Sequence, residues 1–194
     1  MKKEVIVFIA GLLCVGLGIG ILLVGAQVRS SNAAQLAQPV TDQAITTQTP
    51  PRPTAKQGKP VTLTIPDLAI SNPVIDGTYD HATRQWTLTD DKVQFATATQ
   101  PPNDDSGLTF MYGHNRREVF TRLPRIKPGT LAYITTDNGY VFTYRFTSSA
   151  VTQEYDTSIF SYSGKPVLVL QTCVGLFYEN RQLFTFELTG VDRA

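Results

Sequence analysis

Cysteine is scarce in this chain of 194 residues: there are two, Cys14 and Cys173. Two thiols exclude a disulfide-dense miniprotein and a four-cysteine zinc site. A dominant charge is missing too, since 17 basic side chains face 16 acidic ones for a net charge of +1. No global field therefore exists to draw in nucleic acid. Helical patterning is also scarce, with room for a turn or two at 118–123 before Pro124. No internal repeat is visible. The length is a prior for one domain, since domains most often run about 100–150 residues.

The long apolar run is what stands out first. Residues 5–24, VIVFIAGLLCVGLGIGILLV, carry no charge over 20 positions. At about 1.5 Å per residue such a helix spans roughly 30 Å, the hydrocarbon thickness of a bilayer. Lys2 and Lys3 precede it, so the N-terminus is expected in the cytoplasm and the rest of the chain outside. A cleaved signal peptide ending at Val24-Gly25-Ala26 is the competing reading, although the run is longer than the usual h-region. Both readings export the residues beyond it. Cys14 is expected to be an apolar filler within the membrane.

Residues 27–60 contain no aromatic residue but six Gln, five Thr and five Pro. That composition cannot bury enough apolar surface to offset its ordering entropy, which predicts a mobile stalk. The expected organisation is an anchor at 1–26, a stalk at 27–60 and one domain at 61–194. The domain is mildly acidic and contains one cysteine.

Within the domain the patterning is β. Alternating or apolar runs at 61–65, 109–112, 131–135, 140–146, 167–170 and 183–188 are separated by polar turns. Asp137-Asn138-Gly139 is a strong hairpin signal. Many short strands with polar turns predict an all-β fold, a small closed or nearly closed barrel.

An unpaired thiol is unusual in an exported domain. Cys173 reads either as a small buried hydrophobe at a strand end or as a nucleophile. A nucleophilic thiol needs a base or a cation beside it, because free cysteine is only about 3% thiolate at pH 7. Of two histidines in the domain, His81 lies in a polar turn, whereas His114 follows a strand, where barrels expose functional groups. Arg181 stands eight residues after Cys173, so a hairpin loop at 174–180 would bring both to the same end of neighbouring strands. Arginines can stabilise the oxyanion of an acyl-transfer intermediate. The others, Arg116 among them, read as solvated surface charges.

Gly113-His114-Asn115, Leu170-Gln171-Thr172-Cys173 and Arg181, in that order, resemble the sortase family of Gram-positive cysteine transpeptidases. Ile65-Pro66, Pro73-Val74 and Gly77 extend the likeness over roughly residues 61–192. Val169 departs from it, standing where the family often has threonine. The resemblance implies an eight-stranded sortase barrel behind an N-terminal transmembrane helix, with Cys173, His114 and Arg181 in one groove. It implies cleavage of an LPxTG-like sorting signal between Thr and Gly by Cys173. An amine on a cell-wall precursor or a protein would then resolve the thioacyl-enzyme. His114 would pass the proton and Arg181 would stabilise the oxyanion, with the reactive thiolate–imidazolium pair a minor population.

Thr172 is expected to help shape the site, although its side chain points away from that of Cys173 on a strand. Phe177 and Tyr178 would line the groove or pack on the barrel. No cofactor is expected. Asp104 and Asp105 are weak calcium candidates beside the reading of a solvated turn. The absence of an Asp-Pro-aromatic lid and of a second membrane segment favours protein anchoring over pilin polymerisation. Expected partners are surface proteins bearing the sorting signal, the amine acceptor and the membrane. Two rivals are a non-enzymatic exported β-barrel and a cysteine peptidase acting mainly by hydrolysis. A papain-like order is disfavoured, because that fold puts cysteine before histidine, at a helix N-terminus.

Overall fold

Short alternating segments become strands in the computed structural model of the protein, which describes residues 54–83 and 85–194. The expected anchor and the stalk up to Pro53 lie outside the described residues. Among the described residues no helix is long and apolar enough to cross a membrane. The described residues form ten strands: β1 (Pro60–Ile65), β2 (Ile70–Gly77), β3 (Tyr79–Asp80), β4 (Gln85–Trp86), β5 (Val93–Ala96), β6 (Leu108–Tyr112), β7 (Leu131–Thr136), β8 (Tyr140–Gln153), β9 (Val167–Val174) and β10 (Asn180–Arg193). Eight of them close into a barrel in the order β1-β2-β5-β6-β9-β10-β8-β7, while β3 and β4 form a separate ribbon. The pairs β2–β5 and β6–β9 are parallel and the rest are antiparallel.

Period-two alternation sorts side chains between two packed layers. Phe142, Tyr144 and Phe146 of β8 enter the barrel interior, where they meet Leu168 and Leu170 of β9 and Phe184 and Phe186 of β10. Burying each such side chain contributes about 2 kcal/mol relative to exposure. The other face of β9 is apolar as well. Val167 and Val169 join Ala96, Leu108, Phe110 and Tyr112 in a second layer outside the barrel, packed against Trp86, Ile159 and Leu183. The continuous apolar run of β9 follows from having both faces covered.

The β7–β8 hairpin turns at Asp137-Asn138-Gly139, where Gly139 takes φ +82°. A side chain rarely adopts that conformation. Three differences from the sequence reading have physical causes. β2 carries Asn72 and Pro73 in its middle, and β5 is four residues buried on both faces, so neither alternates cleanly. β8 runs on to Gln153 through mostly polar, mostly exposed residues that pair along β10, with Thr147 adding a side-chain bond to the Thr185 carbonyl. The turns at 118–123 lead into a single 3-10 turn at Leu123–Arg125 rather than a helix.

Residues 56–60, expected to end the stalk, are strapped to the barrel. Lys56 N–H donates to Asp104 Oδ1 at 2.8 Å and the Asp104 N–H returns a bond to the Lys56 carbonyl at 3.1 Å. Gly58 N–H reaches the Pro102 carbonyl, Asp137 N–H reaches the Lys59 carbonyl, and Asn138 Nδ2 reaches the Gln57 carbonyl. Composition cannot register such ties, because they use backbone groups of a segment with little to bury.

Candidate active site

Cys173 lies near the end of β9, on the outward face it shares with Val167, Val169 and Gln171. Directly across the antiparallel ladder from it is Arg181, near the start of β10. Such partners hold their Cβ atoms about 5 Å apart on one face of the sheet. On the other flank β6 runs parallel to β9, with Tyr112 beside Gln171. The chain stays on β9 for one further step, as Gly113 N–H donates to the Gln171 carbonyl at 3.2 Å. His114 follows at once.

Two side-chain bonds fix that segment. Thr172 is fully buried, on the barrel-interior face, and its hydroxyl donates to the Gly113 carbonyl at 3.0 Å. Asn115 Nδ2 donates to the Cys173 carbonyl at 3.1 Å. Only glycine fits at 113, because a Cβ there would stand 2.7 Å from Val119 Cγ1. Two residues of the β6 exit, Gly113 and Asn115, are thus bonded to three of β9, and the segment bearing His114 is held beside the strand that carries the thiol.

The imidazole is partly covered, with its side chain 28% exposed. Burial first, and then the Arg116 guanidinium, hold the His114 pKa below the usual histidine value, while Asp90 pulls it upward. Asp90 Oδ1 accepts from Arg116 Nη1 at 2.6 Å and stands 3.8 Å from His114 Nε2. At neutral pH the neutral ring therefore prevails, as a proton acceptor requires. Arg116, expected to be a free surface charge, is half-exposed but pairs with Asp90 close to the histidine.

Arg181 is more enclosed, with its side chain 15% exposed. Its Nη1 donates to the carbonyls of Tyr178 at 2.9 Å and Asn180 at 3.1 Å, and its Nη2 donates to Glu154. The intervening loop turns through Gly175 at φ +100° and Tyr178 at φ +60°. Glu179 braces it by accepting from the Phe177 N–H at 2.9 Å.

The structure brings together Cys173, Arg181 and the segment bearing His114. The other expected residues lie as follows. Thr172 faces the interior and acts on Gly113. Phe177 is 83% exposed and Tyr178 56% exposed, in the β9–β10 loop, so neither is packed into the barrel. Asp104 and Asp105 precede β6 and so lie at the opposite end of that strand from His114; Asp104 is engaged by the Lys56 N–H. Among the described residues no three His, Cys, Asp or Glu side chains gather closely enough to hold a metal ion. His81 packs edge-on against Tyr79 in the β3–β4 turn. Sequence reasoning assigned no role to Asp90, Asn115 or Glu154. Only Asn115, adjacent to the histidine, carried a signal.

The family model that matches residues 63–187 is that of the sortase domain. Solved structures share the architecture at low identity. Sortase E1 from Streptomyces coelicolor, with a tripeptide in its active site, is similar at 21% identity and a TM-score of 0.56, covering 71% of this chain and 91% of that one. Sortase C-3 from Streptococcus pneumoniae is similar at 21% and 0.57, covering 71% and 66%. Sortase A from Corynebacterium diphtheriae is similar at 18% and 0.58, covering 71% and 63%. This chain thus spans less than two thirds of the length of the latter two. No curated protein sequence matches it. With a sortase domain matched over most of the chain and an eight-stranded barrel beneath it, the protein belongs to the sortase family of cysteine transpeptidases.

Proposed function

We propose that this protein is a membrane-anchored sortase, acting outside the cell, that cleaves an LPxTG-like sorting signal between Thr and Gly and joins the acyl part to an amine. The observation that carries the reading is the register that sets Cys173 opposite Arg181, beside the strand exit bearing His114.

His114 first takes the proton of the Cys173 thiol; the thiolate attacks the scissile carbonyl carbon, and the oxyanion that develops lies on the face where Arg181 supplies charge-assisted donors. As the C–N bond breaks, the His114 imidazolium gives its proton to the departing amine and a thioester remains on Cys173. An incoming amine from a cell-wall precursor or a protein then attacks that thioester. His114 takes the surplus proton, the C–S bond breaks, and the thiolate is regenerated as a new amide forms. Protein anchoring, rather than pilin polymerisation, is the outcome we assign. The apolar run at 5–24 would tether the enzyme, with its N-terminus cytoplasmic.

The test is incubation of the full chain with an LPxTG-type peptide, with and without a glycine-peptide amine. Mass spectrometry should find an acyl adduct on Cys173 and, with the amine, a ligated product. Neither adduct nor turnover across a library of sorting-signal peptides would sink the reading. Release of the free acid alone, with the amine in excess, would make the protein a peptidase instead.

A further inference from the structure

We propose that Glu154 is a positioning residue for Arg181, fixing the plane in which the guanidinium meets the reacting carbonyl. The inference rests on the assignment of Arg181 to the oxyanion.

A guanidinium has five N–H groups in a rigid planar fork, so its aim is set by whichever of them are already held. Three are committed here. The Nη1 pair goes to the Tyr178 and Asn180 carbonyls, and one Nη2 N–H goes to Glu154. The Nε N–H and the second Nη2 N–H have no partner among the described residues, so two donors of the fork remain able to meet an oxyanion. The two clamps differ in rigidity. The Tyr178 carbonyl belongs to the exposed β9–β10 loop, which depends on a positive-φ glycine and on Tyr178 at φ +60°, and the Asn180 carbonyl is that of the neighbouring residue at the very start of β10. Glu154 instead follows directly from β8, the other ladder neighbour of β10.

Strand register explains why the carboxylate arrives there. Thr152 is the β8 partner of Arg181, and Glu154 lies two residues further on. Alternation returns Glu154 to the face of Arg181 and Cys173. The burial of the pair is uneven, with Arg181 15% and Glu154 65% exposed. The cation is therefore enclosed beside the thiol while the anion stands at the solvent edge, where holding a charge costs little desolvation. Removing the carboxylate would leave the guanidinium held through Nη1 alone, by the loop carbonyl of Tyr178 and the adjacent carbonyl of Asn180.

The experiment compares full-chain wild type, Glu154→Ala, Glu154→Gln and Thr152→Ala for kcat and KM in amine ligation, with thermal midpoints measured alongside. Deleting an oxyanion donor outright costs about 10²–10³ in kcat, so misaiming one should cost about tenfold. Glu154→Ala is expected to lose that factor in kcat with KM and the thermal midpoint nearly unchanged. Glu154→Gln keeps an acceptor oxygen and should recover most of the rate, and Thr152→Ala should match wild type. Wild-type kcat in Glu154→Ala overturns the inference. So does a faster Glu154→Ala, which would make the carboxylate a competitor of the substrate, or a Gln variant as impaired as Ala. These results bear on Glu154 alone as long as wild type turns over and Arg181→Ala does not. A wild-type chain without adduct or turnover removes the catalytic reading and this inference together.

Discussion

The two faces of β9 differ in what they ask of their residues. Inward, Leu168, Leu170 and Thr172 are fully buried, and they serve the barrel. Outward, Val169 is buried under the outer layer, whereas Gln171 and Cys173 emerge from it toward the strand end, next to Arg181. One strand thus holds fold and chemistry in alternate positions. The lesson is that the chemistry begins where the outer layer stops covering the sheet. Inner substitutions should cost stability first, and outer ones near the end should cost activity first.

The sharpest break of that contrast is Cys173→Ala. Acylation should fall to background, with a thermal midpoint matching wild type, as read by mass spectrometry and calorimetry. Arg181→Ala should lower kcat by about 10²–10³, the cost of an oxyanion donor, with the barrel still folded by circular dichroism. On the inner face Leu170→Ala should destabilise by about 3 kcal/mol in denaturant unfolding, while its neighbour Gln171→Ala should change little. Thr172→Val probes the seam between the faces. It leaves the Gly113 carbonyl without its hydroxyl donor, so it should cost about 1–2 kcal/mol and also lower kcat by loosening the His114 segment.

The smallest effects concern the His114 titration, followed by NMR of the ring protons. Asp90 favours the charged ring and Arg116 disfavours it. Asp90→Asn should therefore move the midpoint to lower pH and Arg116→Gln to higher pH. Shifts in the same direction would show that the two side chains do not act on the ring by charge.

How far these features could be read from the chain depends on the range of the interactions behind them. Phe142, Tyr144 and Phe146 alternate within a few residues, so their common face in the barrel is visible in sequence. The apolar run 167–170 likewise announces a strand covered on both sides. The order His114, Cys173, Arg181 was visible because each follows, ends or starts a recognisable strand. Glu154 was not, because its relation to Arg181 depends on the register of two strands separated by a long stretch of chain. Asp90 comes from the segment after β4, a two-residue strand without a pattern of its own. The strap at 56–60 escaped because backbone amides leave no mark on composition.

That strap also decides how the barrel carries mechanical load. A pull applied upstream of Thr54 meets the bonds of Lys56 to Asp104, Gly58 to Pro102 and Lys59 to Asp137 before it reaches any strand. These ties lie near the β7–β8 turn, where Arg193 pairs with Tyr140 at one end of β10. Arg181 is near the other end, separated from it by about 40 Å of strand at the usual rise per residue. Tension entering at Thr54 would therefore load this clasp, at the end of the barrel opposite Arg181, before it loads the groove.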